Sequence, residues 1–261
     1  MAKTTPEQIR AFQRATLMDD EFMTVFFKDN IPAVQFVLRI LMGKPDLIVK
    51  TVKVQVKHEA HRKSRMVIFD VYAVDSEGRH YDIEFQNRSS GAVPYRGRLN
   101  SALMDVNMLS SGEDYSLLKN RESVVIFITK YDVLKGGKPI YTIERVIKET
   151  GEDYGDGSHI IYVNTSHKDY STALGKLIHD FRCVNPEEWY YPEFAGRAKE
   201  LKGGEDSMKI LDDMKATERV EVSENIAVNF IKSGLLALEV IAKNCNLSLQ
   251  RVQELAATIS R

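Results

Sequence analysis

Two short runs place acidic side chains where an apolar strand is expected. Residues 66–75 (MVIFDVYAVD) set Asp70 among Val, Ile and Phe, and residues 81–86 (YDIEFQ) set Asp82 and Glu84 between Tyr81, Ile83 and Phe85. Successive side chains of a strand alternate faces, so Asp82, Glu84 and Gln86 share one face while Ile83 and Phe85 take the other. Ser76-Glu77-Gly78-Arg79 joins the two runs with hairpin chemistry, which brings Asp70 close to Glu84 across the strand pair. A charge inside an apolar strand is costly unless it is paired or holds a metal. Two carboxylates and a carbonyl oxygen suit a hard divalent ion such as Mg²⁺ or Mn²⁺. Such an ion lowers the pKa of bound water and neutralises charge developing on a phosphoryl group. The plainer alternative is a half-exposed strand whose acids face water, and spacing alone favours it.

The elements that must position these residues follow from periodicity. Thr5 to Met42 reads as two or three helices, with Phe22, Val25 and Phe26, then Phe36, Val37, Ile40 and Leu41, at helical spacing and Pro32 able to start a helix. From Leu47 the period becomes two: Val52, Val54 and Val56 alternate with Lys53, Gln55 and Lys57, a strand with one basic face. Residues 93–111 read as a helix with an apolar stripe of Leu99, Leu103, Val106 and Met108 or Leu109. Ser123–Thr129 (SVVIFIT) is a buried strand, and Ile140–Ile147 and His159–Val163 are two more, with a Gly-rich connection at 151–157. Helix returns after Tyr170, on a face of Leu174, Leu177, Ile178 and Phe181, and again over Met208–Ile259, with breaks near Gly234 and Asn244–Asn246. This order predicts an α/β domain on a mixed central sheet flanked by helices, over residues 1–200, and a helical C-terminal appendage over 201–261.

Composition narrows the function classes. The chain has 261 residues, 43% hydrophobic and 28% charged, with a formal net charge of −1, the profile of a soluble globular protein. Two distant cysteines, Cys183 and Cys245, exclude a disulfide scaffold and point to a reducing, cytoplasmic setting. No run approaches the roughly 20 apolar residues of a membrane span, and no signal core precedes residue 30. The charge is uneven: residues 1–65 carry 12 basic and 7 acidic side chains, whereas residues 66–200 carry 16 and 21. Affinity for a polyanion must therefore be local. The chain has neither a phosphate-binding Gly loop nor a G-x-S-x-G elbow.

Asp70, followed after thirteen residues by Glu84-Phe85-Gln86, resembles the PD-(D/E)XK nuclease signature with Gln in place of Lys. Asp19-x-x-Phe22-x-x-x-Phe26, Arg96 sixteen residues before Gly112-Glu113-Asp114-Tyr115, LGKLIHDF and the ending GLLALEVIAKNCNLSLQRVQEL extend the likeness over most of the chain. It resembles the PD-(D/E)XK nuclease family transposases, close to the recombination-promoting nucleases. The resemblance implies a restriction-endonuclease-like core and a metal-dependent DNA endonuclease linked to mobile elements and DNA recombination. It implies that Asp70, Glu84 and the Phe85 carbonyl ligate Mg²⁺ or Mn²⁺, with Asp19 completing the shell, and that Gln86 takes the position of the catalytic Lys. It implies that Arg96 contacts a DNA phosphate. Gln cannot supply positive charge, so Lys53 or Lys57 on the neighbouring strand is the expected substitute. DNA is the implied partner, and a homodimer would supply two sites for a double-strand cut. The alternative is a nuclease-fold module, weak or inactive in catalysis, that binds DNA or protein.

Smaller signals read as structure. His58 and His61 with Lys57, Arg62, Lys63 and Arg65 suggest a solvated loop before a phosphate loop. Residues 235–255 allow a helix-turn-helix with Ser248 as a cap. The last 61 residues total −1, which favours packing or oligomerisation over base readout.

Overall fold

The β-branched run from Val49 and the two acid-bearing runs form the strands that periodicity predicts. The computed structural model describes residues 4–58 and 67–259; His61 and the basic residues Arg62, Lys63 and Arg65 lie outside them. Strand β1 (Val49–His58) exposes Lys53, Gln55 and Lys57 and half-buries Val52, Val54 and Val56. It pairs antiparallel with β2 (Val67–Asp75), which pairs antiparallel with β3 (His80–Gln86). The turn between β2 and β3 has Gly78 at φ 83°, and Asp75 Oδ1 accepts the N–H groups of Glu77 and Arg79 at 2.8 and 2.9 Å. Strands β3, β4 (Ser123–Thr129) and β6 (Ser158–Asn164) run parallel, and β5 (Ile140–Ile143) closes the far edge antiparallel to β6. The six-stranded sheet is mixed, in the order β1-β2-β3-β4-β6-β5. Strand β5 ends four residues before the expected Ile147. Beyond it Glu144 pairs with His159 and Arg145 with Asp156, and Val146 makes only an isolated bridge to Asp153.

Helices cover both faces. Helices α1 (Pro6–Arg14), α2 (Asp20–Phe27) and α3 (Ile31–Met42) precede the sheet, and Asn30 caps α3 by accepting the Ala33 N–H at 3.2 Å. On the Phe85 face, that ring meets Phe27 of α2 at 5.5 Å and Phe181 of α5 (Ala173–Arg182) at 5.7 Å. Phe194 of α6 (Pro192–Lys202) packs edge-on against Phe26 at 4.7 Å. Aromatic pairs of this kind add about 0.5–1.5 kcal/mol each beyond the area they bury. The other face carries α4 (Pro94–Met108), whose Leu103, Met104 and Met108 pack with Val125, Phe127 and Tyr162.

Helix α4 departs from its expected stripe. Leu99 and Val106 are exposed, and the buried face carries Gly97, Asn100, Ser101, Leu103, Met104 and Met108. Polar residues at the centre of that face hid it from an apolar count. Gly97 lets the helix approach the sheet: a Cβ there would lie 3.1 Å from Ile160 Cδ1 and 3.3 Å from the Phe127 ring. Gly97→Val should cost about 1–3 kcal/mol by overpacking, read as a lower urea midpoint. An unchanged midpoint would show that α4 is free to move away.

The described chain divides into two compact units, Arg10–Gly203 and the residues up to Ile9 together with Gly204 onward. The second unit contains α7 (Gly204–Ser233), α8 (Leu238–Asn244) and α9 (Leu249–Ile259), around Ala227, Ile241, Ala242, Cys245 and Val252. Asn246, at φ 52°, makes the turn, and Ser248 Oγ accepts the Arg251 N–H at 3.1 Å. Arg251 is bound to Glu224 and Glu254, so the cation best placed on α9 is spent on internal packing. Cys183 and Cys245 are free thiols. Among the described residues no helix is long and apolar enough to cross a membrane.

Candidate functional site

Val71 pairs with Ile83 and Tyr72 with Asp82, which sets Asp70 and Glu84 at the next step along the hairpin. The strand is irregular there. Gln55, on β1 between the pairs Val54–Val71 and Val56–Phe69, has φ 52°, a left-handed conformation that costs a non-glycine residue on the order of 1 kcal/mol. Phe69 and Tyr72 both pack on the α4 side, with centroids 6.3 Å apart, although strict alternation puts residues three apart on opposite faces. At this break Asp70 Oδ2 accepts the Phe85 N–H at 2.9 Å.

Asp82 and Glu84 are 0% exposed, so they are not solvated strand acids. Glu84 Oε2 accepts from Arg96 Nη2 and from Gln86 Nε2, the latter at 3.1 Å. Asn100 Nδ2 donates to Asp82 Oδ2 at 2.9 Å and lies 3.5 Å from Glu84 Oε1. Arg96 and Asn100 are four residues apart on α4, so one helical face reaches both acids. Arg96 also donates to the Gly91 carbonyl at 2.8 Å. Over this floor opens a polar cavity of about 550 Å³ lined by Asp19, Asp20, Asp70, Phe85, Gln86 and Arg96, with Asn87, Arg88, Ser90 and Gly91.

The electrostatics are those of crowded acids. Burial, reinforced by Asp20, pushes the Asp70 carboxyl up to about 6 against the opposing pull of the Phe85 N–H and Arg96. Burial and the neighbouring Asp70 push Glu84 up to about 8, even with Arg96 against it. Burial, then Glu84, raises Asp82 well above the usual carboxylate range. One guanidinium does not balance three clustered carboxylates, and a divalent cation is a group that would.

The direction of the Phe85 carbonyl follows from its neighbours' hydrogen bonds. A strand residue directs its N–H and C=O to one edge. The Phe85 N–H goes to Asp70, whereas the Gln86 carbonyl takes the Lys130 N–H at 2.9 Å; the Phe85 carbonyl therefore points to the Asp70 side. Among the described residues no group of three or more His, Cys, Asp or Glu side chains is placed to hold a metal.

The structure brings Asp70, Phe85, Gln86 and Arg96 to one cavity, with Glu84 buried against Gln86 and Arg96. Asp19 lines the cavity, but its carboxylate turns back to accept the Thr16 N–H and hydroxyl at 2.8 and 2.9 Å. Asp20, which sequence reasoning passed over, is the acid that acts on Asp70, and burial followed by Asp19 raises its own pKa. Lys53 and Lys57 do not line the cavity; they project from the exposed face of the edge strand β1, one strand removed from β3. Arg88 is the cation found there instead. Asn100 was also missed, and the signal was available as a polar i, i+4 pair with Arg96 in a helix.

No family model, no curated protein and no solved structure matches this chain. What the site does is carried by its own geometry.

Proposed function

We propose that this chain is a metal-dependent DNA endonuclease with a restriction-endonuclease-like core, of the PD-(D/E)XK type. The observation that carries it is the placement of Asp70, bonded to the Phe85 N–H, and of buried Glu84, bonded to Arg96, at a polar cavity that Asp70, Gln86 and Arg96 line. A Mg²⁺ or Mn²⁺ ion held by Asp70, Glu84 and the Phe85 carbonyl would activate water and offset charge on the phosphorane-like transition state. The chain's own residues do the rest. Arg96, anchored through Gly91, presents positive charge at the cavity for a phosphate oxygen. Gln86 offers an amide that orients a nucleophile by hydrogen bonding and holds no charge. Cutting both strands takes two such sites, which a homodimer supplies.

The test is nicking of supercoiled plasmid with and without Mn²⁺. Wild type should nick only with the ion, and Asp70→Asn should not nick. Equal nicking by both would mean a contaminating nuclease and end the proposal. One observation favours the second reading, DNA binding without cleavage: Glu84 is fully buried and already engaged by Arg96 and Gln86. DNA retention with no metal-dependent change in wild type would establish that reading instead.

A further inference from the structure

Beyond the acidic site, a second cavity of about 280 Å³ opens among Thr165, Lys168, Tyr170, His179, Arg182 and Cys183. We propose that it is a second phosphate subsite that grips the DNA backbone away from the cleaved bond; it rests on the nuclease reading above.

Its place in the sheet is the first argument. Gln86 of β3, Thr129 of β4 and Asn164 of β6 are in register across parallel strands. Both cavities therefore sit at the carboxyl edge, where open α/β sheets take their ligands. Two strand spacings of about 4.8 Å separate Gln86 from Asn164, about three base steps of duplex at about 3.4 Å each. Cations follow the same edge, with Arg88 and Arg96 beside β3, Lys130 directly after β4, and Lys168 and Arg182 at the end of β6.

The chemistry of the pocket is the second. Lys168 and Arg182 are exposed, and neither is in an ion pair among the described residues. Arg182 Nη1 donates to the Thr165 carbonyl at 3.0 Å, which fixes the guanidinium while its remaining donors stay available. Asp169, next in sequence to Lys168, is exposed, and its carboxylate is engaged locally, accepting the Ser171 N–H and hydroxyl at 3.0 and 2.6 Å. The wall is rigid: His179 Nδ1 meets buried Asp180 at 3.0 Å, and Asp180 also accepts the N–H groups of Tyr190 and Tyr191 at 2.9 and 3.1 Å. Two unpaired cations on a braced wall suit a phosphodiester oxygen.

The test is fluorescence anisotropy of a labelled duplex in EDTA over a salt series, so that cleavage plays no part. Lys168→Ala should weaken binding several-fold and lower the slope of log affinity against log salt by about 1. Lys148→Ala is the charge-matched control, because Lys148 follows β5 and lies toward the opposite, amino edge of β6. Lys168→Ala matching Lys148→Ala in affinity and slope overturns the subsite, even when plasmid nicking still depends on Asp70. Wild type that binds no duplex overturns the subsite, whereas the nuclease reading stands or falls on Mn²⁺-dependent nicking. Inorganic phosphate that stabilises wild type but not Lys168→Ala, with duplex affinity the same in both, marks a free-anion site and overturns the DNA assignment.

Discussion

Glu84→Gln should slow Mn²⁺-dependent cleavage by on the order of 10²–10³-fold, the usual loss when one preorganised electrostatic partner leaves a reaction centre. The substitution keeps shape and volume. The amide oxygen still accepts from Arg96 and Gln86, so the hydrogen bonds that hold α4 to β3 persist. What is lost is the charge that a divalent ion needs. The variant should therefore stay folded by circular dichroism while the Mn²⁺-induced rise in Tm falls away along with the rate. Retained nicking at the wild-type rate would reduce Glu84 to a structural partner of Arg96.

The second large effect is a loss of stability as pH rises in metal-free protein. Asp70 moves from 3.8 to about 6 and Glu84 from 4.5 to about 8 on folding, chiefly through burial. A carboxyl whose pKa is raised by folding binds its proton more tightly in the native state. Its contribution is complete below pH of about 4 and is lost as pH climbs through 6 and then 8. At about 1.4 kcal/mol per unit, Asp70 alone accounts for on the order of 3 kcal/mol, or on the order of 5–10 °C in Tm for a chain of this size. Tm measured in EDTA should fall from pH 5 to pH 8.5, and Mg²⁺ should shrink the fall by taking the place of the protons. Glu84→Gln should flatten the upper part of the curve. Identical curves for wild type and Glu84→Gln would show that the acid cluster does not govern the fall.

The strands were legible because their chemistry is repetitive. Val52, Val54 and Val56 on β1 and the wholly apolar SVVIFIT of β4 mark one exposed and one central strand without ambiguity. The hairpin that joins Asp70 to Glu84 was equally plain from its turn. Helix α4 was legible as a helix but not in its orientation, because it buries Gly97, Asn100 and Ser101, where an apolar stripe predicts Leu99 and Val106. The site explains the difference: polar groups beside buried acids do the work that apolar contact does elsewhere. Asp19 and Asp20 are adjacent, and only a fold shows that Thr16 captures the first and leaves the second to face Asp70. The cavity at the end of β6 had no local signature, since Lys168 and Arg182 are fourteen positions apart and meet only through the packing of α5.

Strand β1 has a consequence for self-association. It is ten residues long and lies at the edge of the sheet, with open backbone groups of the kind that recruit a neighbouring chain into a continuous ladder. Lys50, Lys53 and Lys57 stand exposed along it, and a second copy laid against this edge would bring like charges together. The lysines that do not reach the acidic cavity therefore disfavour edge-to-edge pairing through this strand.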